Sequence, residues 1–459
     1  MTKARLDGLY LLLLGFALFV FIGVYTECTQ PGIGGDFRGV YFGTRCLIEH
    51  GDPYQLSVLQ DAYLRGGGKL SEDPNKIRAS VAPNIYLPSA FILAIPLAML
   101  PWGPASASWI ALTAASFILA AFLTWNLAAR YAPVIAGGLI GLWLATTEVV
   151  FGNGNPAGIV VSLCVVAVCC FIEDRFALAG VLCLAVSLAI KPQDAGLVWL
   201  YFLLAGGIYR KRALQTLAVA IALGLAGALW VWHIAPHWIQ EWQANLTAIS
   251  AHGGYNDPAT AGISGHIVQA MIDLPTVVSV FVSDPHIYVP VSHLIGAALL
   301  LSWLVATLRS HTSKTNAWLA LAAASALSMI VTYHRAYDAK LLLLIVPACA
   351  IFWARGGSIA RLALIVSTLG IVLTGEIPVA LIVIRSRNLH ISTSDLAGQL
   401  STVVQTRPAT LILLFTCVFY LWIYVRGAFS KGPADESGLP ENAPTEAAPA
   451  APGSPPDRH

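Results

Sequence analysis

The chain has 459 residues, 57% hydrophobic and only 11% charged, with a formal net charge of +2. Its mean hydropathy is +0.71, and apolar stretches of about 20 residues recur from end to end, which excludes a soluble globular protein. The few Lys and Arg sit at the ends of those stretches rather than on an aromatic-laced basic face, so nucleic acid is excluded as a partner.

Strands cross a bilayer only as a closed barrel, whose mark is short alternating segments. Continuous runs such as "LYLLLLGFALFVFIGVY" (9–25) are helical, and the class read from them is an all-α polytopic membrane protein of about 12–13 transmembrane helices. The first run, 8–26, follows Lys3 and Arg5 and has no small-x-small cleavage site, so it reads as a retained signal anchor.

Directly after it comes "GGDFRGVYFGTRCLIEHGDPY" (34–54), which gathers Asp36, Arg38, Arg45, Glu49 and Asp52 in a chain poor in charge. From Asp36 to Glu49 the spacing predicts an interfacial helix. One stripe carries Arg38, Phe42, Arg45 and Glu49, a second carries Phe37, Tyr41 and Ile48, and Gly51 ends the helix. Two roles are open to Asp36: a cap on that helix, or a general base taking a proton from a hydroxyl. Nearby cations suit a phosphate whose negative charge grows as it departs. Cys28 and Cys46 flank this segment and pair only if that side is oxidising. The other six cysteines lie in apolar spans as small core residues.

Further apolar segments follow near 84–100, 105–128, 133–151, 156–172, 176–190, 194–208, 213–234, 288–308, 316–332, 337–354, 359–382 and 409–425. Polar stretches 27–83, 235–287 and 383–408 separate some of them. The reading is one membrane domain over 1–427, with those stretches as external loops, and a Pro/Ala-rich disordered cytoplasmic tail at 428–459. Lys3, Arg5, "YRKR" (209–212), Arg309, Lys314, Arg355, Arg361 and Arg426 fall inside by the positive-inside rule only if one early segment does not cross. Residues 84–100 are the candidate, interrupted by Pro88 and Pro96 and bracketed by Pro83 and Pro101.

With that repair, Asp36, Arg38, Asn153, Asn155, Lys191, Gln193, His334, Arg335 and Asp338 all fall at external ends of spans. Ionisable groups at such depth are costly unless they line a site. Lys191, before the helix breaker Pro192 in "LAIKPQD", is either an interfacial lysine on headgroups or part of that site. In "TYHRAYDAK" (332–340), His334 and Asp338 stand four apart and share a face if the segment is helical. No third ligand stands at a set distance, so no metal is expected. Trp230, Trp232, Trp238 and Trp242 read as an aromatic belt.

"DFRGVYFGTRCLIEHGDPY", "IYLPSAFILAIPLAMLP", "GNGNPAGIVVSL", "AGVLCLAVSLAIKPQDAGLVWLYFL" and "YHRAYDAKLLLLIVP", in this order, resemble the bacterial polyprenol-phosphate-mannose-dependent α-1,2-mannosyltransferases, a branch of the multi-span GT-C glycosyltransferases. The family's second tyrosine is Phe42 here, its paired prolines are Leu87-Pro88 and its glutamine is Asn153. The resemblance implies Asp36 as general base, Lys191 near the lipid phosphate and His334 near the acceptor or donor, and the nearby cations Arg38, Arg45 and Arg335 are read with Lys191 as stabilising the departing donor phosphate. The candidate substrate-binding residues are His334, Asp338, Tyr41, Tyr86, Asn153 and Asn155.

The expectation is therefore a glycosyltransferase of the cell inner (plasma) membrane. It moves mannose or another hexose or pentose from a polyprenyl-phosphate donor to a hydroxyl of a glycan or glycolipid acceptor, by one inverting displacement on the external face. Its partners are that donor, that acceptor and membrane lipids, and it needs no cofactor. A transporter or flippase of a lipid-linked saccharide is the alternative, although no internal halves are visible.

Overall fold

The computed structural model describes residues 2–29, 34–70, 81–147, 152, 154–251, 254, 256–260, 271–311, 313–386 and 395–429. The expected tail at 428–459 falls, beyond Phe429, outside the described residues. Asn153 is outside them as well.

The described chain is all helical, its one bridge being an isolated contact between Met271 and Arg335. In chain order the helices are α1 (Lys3–Thr29), α2 (Gly35–Ile48), α3 (Leu56–Arg65), α4 (Pro88–Ala98), α5 (Trp102–Ala128), α6 (Pro133–Ala145), α7 (Ala157–Ile172), α8 (Ala177–Ile190), α9 (Pro192–Leu204) and α10 (Gly207–Ile234). Then come α11 (Trp238–Ser250), α12 (Leu274–Phe281), α13 (Pro285–Arg309), α14 (Lys314–Val331), α15 (Ile345–Arg355), α16 (Gly357–Leu373), α17 (Glu376–Ser386), α18 (Leu396–Thr406) and α19 (Pro408–Phe429). A 3-10 segment, Asp338–Leu344, leads into α15. Proline opens α4, α6, α9 and α13, where its missing N–H costs no helical bond.

Six helices, α1, α5, α10, α13, α14 and α19, are individually long and apolar enough to cross a membrane. The α16–α17 pair, bent by 66°, is apolar enough to form one further span, broken at the bend, or a re-entrant loop. Other expected spans are shorter apolar helices. The 11 residues of α4 rise only about 16 Å against a hydrocarbon core of about 30 Å. The stretches read as external loops hold helices of their own, α3, α11, α12 and α18.

α14 is the centre of the bundle. Its sequence "AWLALAAASALSMI" is buried along its whole length, because small side chains let neighbouring helices approach on every side. α1 and α6 meet through glycine: a β-carbon at Gly8 or Gly137 would fall onto the other helix's backbone, as it would at Gly15 against Gly141. Ion pairs collect at one end of the bundle. Glu173 binds Arg130 at 2.8 Å and Lys314 at 3.2 Å, while Arg212 pairs with Asp174. Arg212 and Lys314, two of the positions expected on the inner side, therefore share one end.

α2 differs from the expected surface helix. Its apolar residues pack inward under α3, α4 and Trp102, with Phe37, Tyr41 and Phe42 buried, while Ile48 is exposed. Phe42 thus joins the core in place of Ile48. Phe37 stacks on Trp109 at 4.5 Å between centroids and Phe42 on Trp102 at 5.7 Å. Cys28 is exposed and Cys46 buried, and the two thiols are free.

Candidate active site

The end of the bundle opposite the Glu173 cluster collects the starts of α2, α7 and α9 and the loop after α14. Asp36 lies in the first turn of α2, but it does not cap that helix. The cap position is Gly34, without a side-chain hydrogen bond, and the Asp36 carboxylate instead accepts from Asn155 Nδ2 at 2.7 Å. The capping role is corrected accordingly. Asn155 reaches it because Gly154 takes a left-handed φ of +60°, so that the chain passes tightly over Phe37. A β-carbon at Gly154 would come within 2.9 Å of the Phe37 Cβ. Trp109 pins the same loop by donating to the Gly154 carbonyl at 2.9 Å. Asn155 Oδ1 is also used, accepting the Ala157 N–H at 2.8 Å where α7 begins.

Lys191 is no headgroup lysine. It is 8% exposed and lies between two carboxylates, Asp338 Oδ1 at 2.5 Å and Asp194 Oδ2 at 3.4 Å. Asp194 Oδ1 in turn bonds His334 Nε2 at 2.9 Å. The expected His334–Asp338 pair is not formed. Residues 332–337 are not helical, so a spacing of four does not put the two on one face. His334 reaches across to Asp194, and Asp338 takes Lys191 and the Arg335 N–H, the latter at 2.8 Å. Burial disfavours a charged imidazole, yet the Asp194 carboxylate outweighs it and holds His334 above its ordinary value. With His334 protonated, two cations and two anions balance.

Tyr86 packs over Gly39, one turn along α2 from Asp36. Its phenol is pushed well above its ordinary value, first by burial and then by the charge of Asp36, with smaller contributions from Tyr333 and Asp338. Tyr337 is likewise within electrostatic reach of both Asp36 and Asp338. Tyr337 lies against the Lys191 cluster, with the Lys191 ammonium 5.4 Å from its ring centre. Arg335 lies beside them, donating to Tyr333 and Asn256.

The remaining expected residues lie elsewhere on α2. Tyr41 is buried and donates to the Leu100 carbonyl at 2.6 Å. Arg45 is tied to Glu49 at 3.5 Å and to the Tyr41 hydroxyl at 3.3 Å, about 13 Å along the helix from Asp36. Arg38 lines an open cavity of about 480 Å³, with its guanidinium 5.7 Å from the Tyr63 ring centre and 5.8 Å from that of Trp102.

Sequence reasoning missed Asp194, Asn256 and Tyr333. Asp194 had a signal: a fully buried acid at the third position of a proline-started helix, three residues beyond the lysine already singled out. Asn256 and Tyr333 carried none, being ordinary loop residues until the fold brings them to Arg335.

No curated protein and no solved structure matches the chain. A family model does, that of glycosyltransferase family 87, over residues 84–332. The matched stretch contains Tyr86, Asn155, Lys191 and Asp194, while His334 lies just after it and Asp36 well before it, outside the match. Covering more than half of an all-helical, membrane-spanning chain, that match shows that the protein belongs to glycosyltransferase family 87.

Proposed function

We propose that the protein transfers a sugar from a polyprenyl-phosphate donor to a hydroxyl acceptor on the external face of the membrane, with Asp36 as general base. The observation that carries this reading is the Asp36–Asn155 contact. A carboxylate that does not cap its own helix, and that a neutral amide holds by one oxygen, has its aim fixed without being paired to a cation there.

In one displacement the acceptor O–H gives its proton to Asp36 while its oxygen attacks the anomeric carbon. The bond from that carbon to phosphate breaks, and its electron pair leaves with the polyprenyl phosphate. Lys191 does not fit as the residue that meets this phosphate, since two buried carboxylates already use its charge. Arg335 is the better placed cation, and the Lys191–Asp194–His334–Asp338 cluster holds its loop. A lipid-borne donor also suits a chain with six helices, among the described residues, long and apolar enough to cross a membrane.

The test is Asp36→Asn in protein purified with a labelled polyprenyl-phosphate sugar. Asparagine keeps an oxygen for Asn155 but cannot take a proton, so turnover should fall at least about a hundredfold with donor binding retained. Wild-type turnover by the variant would end the assignment. Movement of labelled lipid between leaflets without a glycosidic product would favour the transporter.

A further inference from the structure

The end of the bundle opposite Asp36 is rich in cations, and several of them are already committed. Arg130 and Lys314 hold Glu173, Arg212 is tied to Asp174 and to the Phe171 carbonyl, and Arg355 donates to Thr315. Arg210 and Lys211, beside Arg212 in the first turns of α10, differ. Both are exposed. Arg210 spends only its Nε, on the Leu203 carbonyl at 3.1 Å, and among the described residues neither makes an ion pair.

These two cations head a shallow, open groove of about 530 Å³. Its lining is Gly207, Arg210, Lys211, Leu214, Gln215 and Ala218, whose spacings of three and four keep them on one face of α10. The same face continues along the helix. Leu214, Ala218, Ile221, Leu225, Leu229 and Trp232 follow Lys211 at steps of three or four, and the five large side chains among them are each more than half exposed. From Lys211 to Trp232 the helix rises about 32 Å, close to the hydrocarbon thickness of about 30 Å. A cation and a tryptophan thus mark the two membrane boundaries of one apolar stripe. α10 is also the least covered candidate span, with 11% of its apolar stretch buried against 17% to 78% in the other five.

We infer that this face of α10 is a binding site for an anionic phospholipid, in the leaflet opposite the Asp36 site. The lipid phosphate meets Arg210 and Lys211 by charge-assisted hydrogen bonds, with the Gln215 amide as a further donor. One acyl chain lies along the stripe from Leu214 to Leu225, a rise of about 16 Å that matches half of the hydrocarbon core. A second copy of the chain fits this face less well. Two copies related by an axis along the membrane normal would set Arg210 and Lys211 against the same two cations, whereas a phospholipid brings the counter-charge at their level. The inference does not depend on the transferase reading.

The test titrates full-length protein, purified in a non-ionic detergent, with fluorescently tagged phosphatidylglycerol and with phosphatidylcholine of the same acyl chains. Phosphatidylglycerol should bind at least about tenfold more tightly, the discrimination that one charge-assisted hydrogen bond supports. Lys211→Gln alone should reduce that preference severalfold, and Arg210→Gln with Lys211→Gln should bring the two lipids to within about twofold. Arg5→Gln with Arg361→Gln, which removes two other exposed cations from the same end, should leave the preference intact. Equal binding of the two lipids by wild type overturns the inference, as does an undiminished preference in the Arg210 and Lys211 variants. An equal loss in the Arg5 and Arg361 variant would spread the effect over the whole end and overturn it too. Inorganic phosphate displacing phosphatidylglycerol at equal concentration would leave a plain anion site. Efficient crosslinking of two copies through Ala218→Cys in liposomes would put protein rather than lipid on this face, and either result sinks the assignment.

Discussion

Replacing Lys191 by methionine decides whether this lysine binds ligand or holds the fold. Its ammonium lies 2.5 Å from Asp338 and 3.4 Å from Asp194, and both acids are essentially without solvent. Removing one partner of a buried pair costs about 3–5 kcal/mol, because the other charge is left uncompensated, whereas an exposed interfacial pair is worth about 0–1 kcal/mol. Lys191→Met orphans two acids. Asp338 keeps the Arg335 N–H and Asp194 keeps His334 on Oδ1, but Asp194 Oδ2 takes no other hydrogen bond. The expected loss is therefore at the upper end, about 4 kcal/mol, seen as a clear drop in the unfolding midpoint of protein in detergent. Lys191→Met with Asp338→Asn should recover a large part of it, since the second change removes one orphaned charge. The opposite pattern, an unchanged midpoint with a donor KM raised about tenfold, would refute the reasoning and return Lys191 to the phosphate.

Other outcomes follow from the same contacts. Gly154→Ala should cost about 1–3 kcal/mol, because φ is +60° and the new methyl meets Phe37. It should also lower kcat with little change in donor KM by displacing Asn155, as steady-state kinetics will show. His334 has its value raised by Asp194 above the ordinary 6.5. Its contribution is thus fully present below pH 6.5 and lost as pH rises through the higher folded value, and His334→Gln should flatten that part of the melting profile. Glu241 on α11 is pushed up to about 7, mainly by its hydrogen bond with Asp52 and then by burial. A raised carboxyl stabilises most below its ordinary 4.5 and progressively less as pH climbs to about 7, so Glu241→Gln should abolish a slope confined to that window.

What the sequence showed of this molecule follows from the cost of charge in an apolar chain. Asp36, Asn155, Lys191 and His334 stand out because few such residues occur near span ends, and counting crossings with 84–100 left out sends them all to one end. The fold does the same, with α4 too short to cross alone. Pairing within the end was not legible. A spacing of four suggested His334 with Asp338, but that rule presumes a helix, and the actual partner Asp194 is 140 residues away. Likewise the stripe on α2 that suggested a surface helix did not reveal that α3 and Trp102 would cover it and draw Phe42 inward.

The geometry of α2 also separates the two charged residues at its start. A helix with acid and base two residues apart cannot aim both at one atom, since the step of about 200° sends them to opposite sides. The sequence "DFR" therefore does not form a base with its own phosphate clamp, which is how spacing alone presents it. It places a carboxylate toward Asn155 and Tyr86 and a guanidinium toward Tyr63 and Trp102. Rigid burial of the apolar residues between and beyond them fixes both aims at once. A small rotation of α2 would then disturb the Asp36–Asn155 contact and the Arg38 contacts with Tyr63 and Trp102 together.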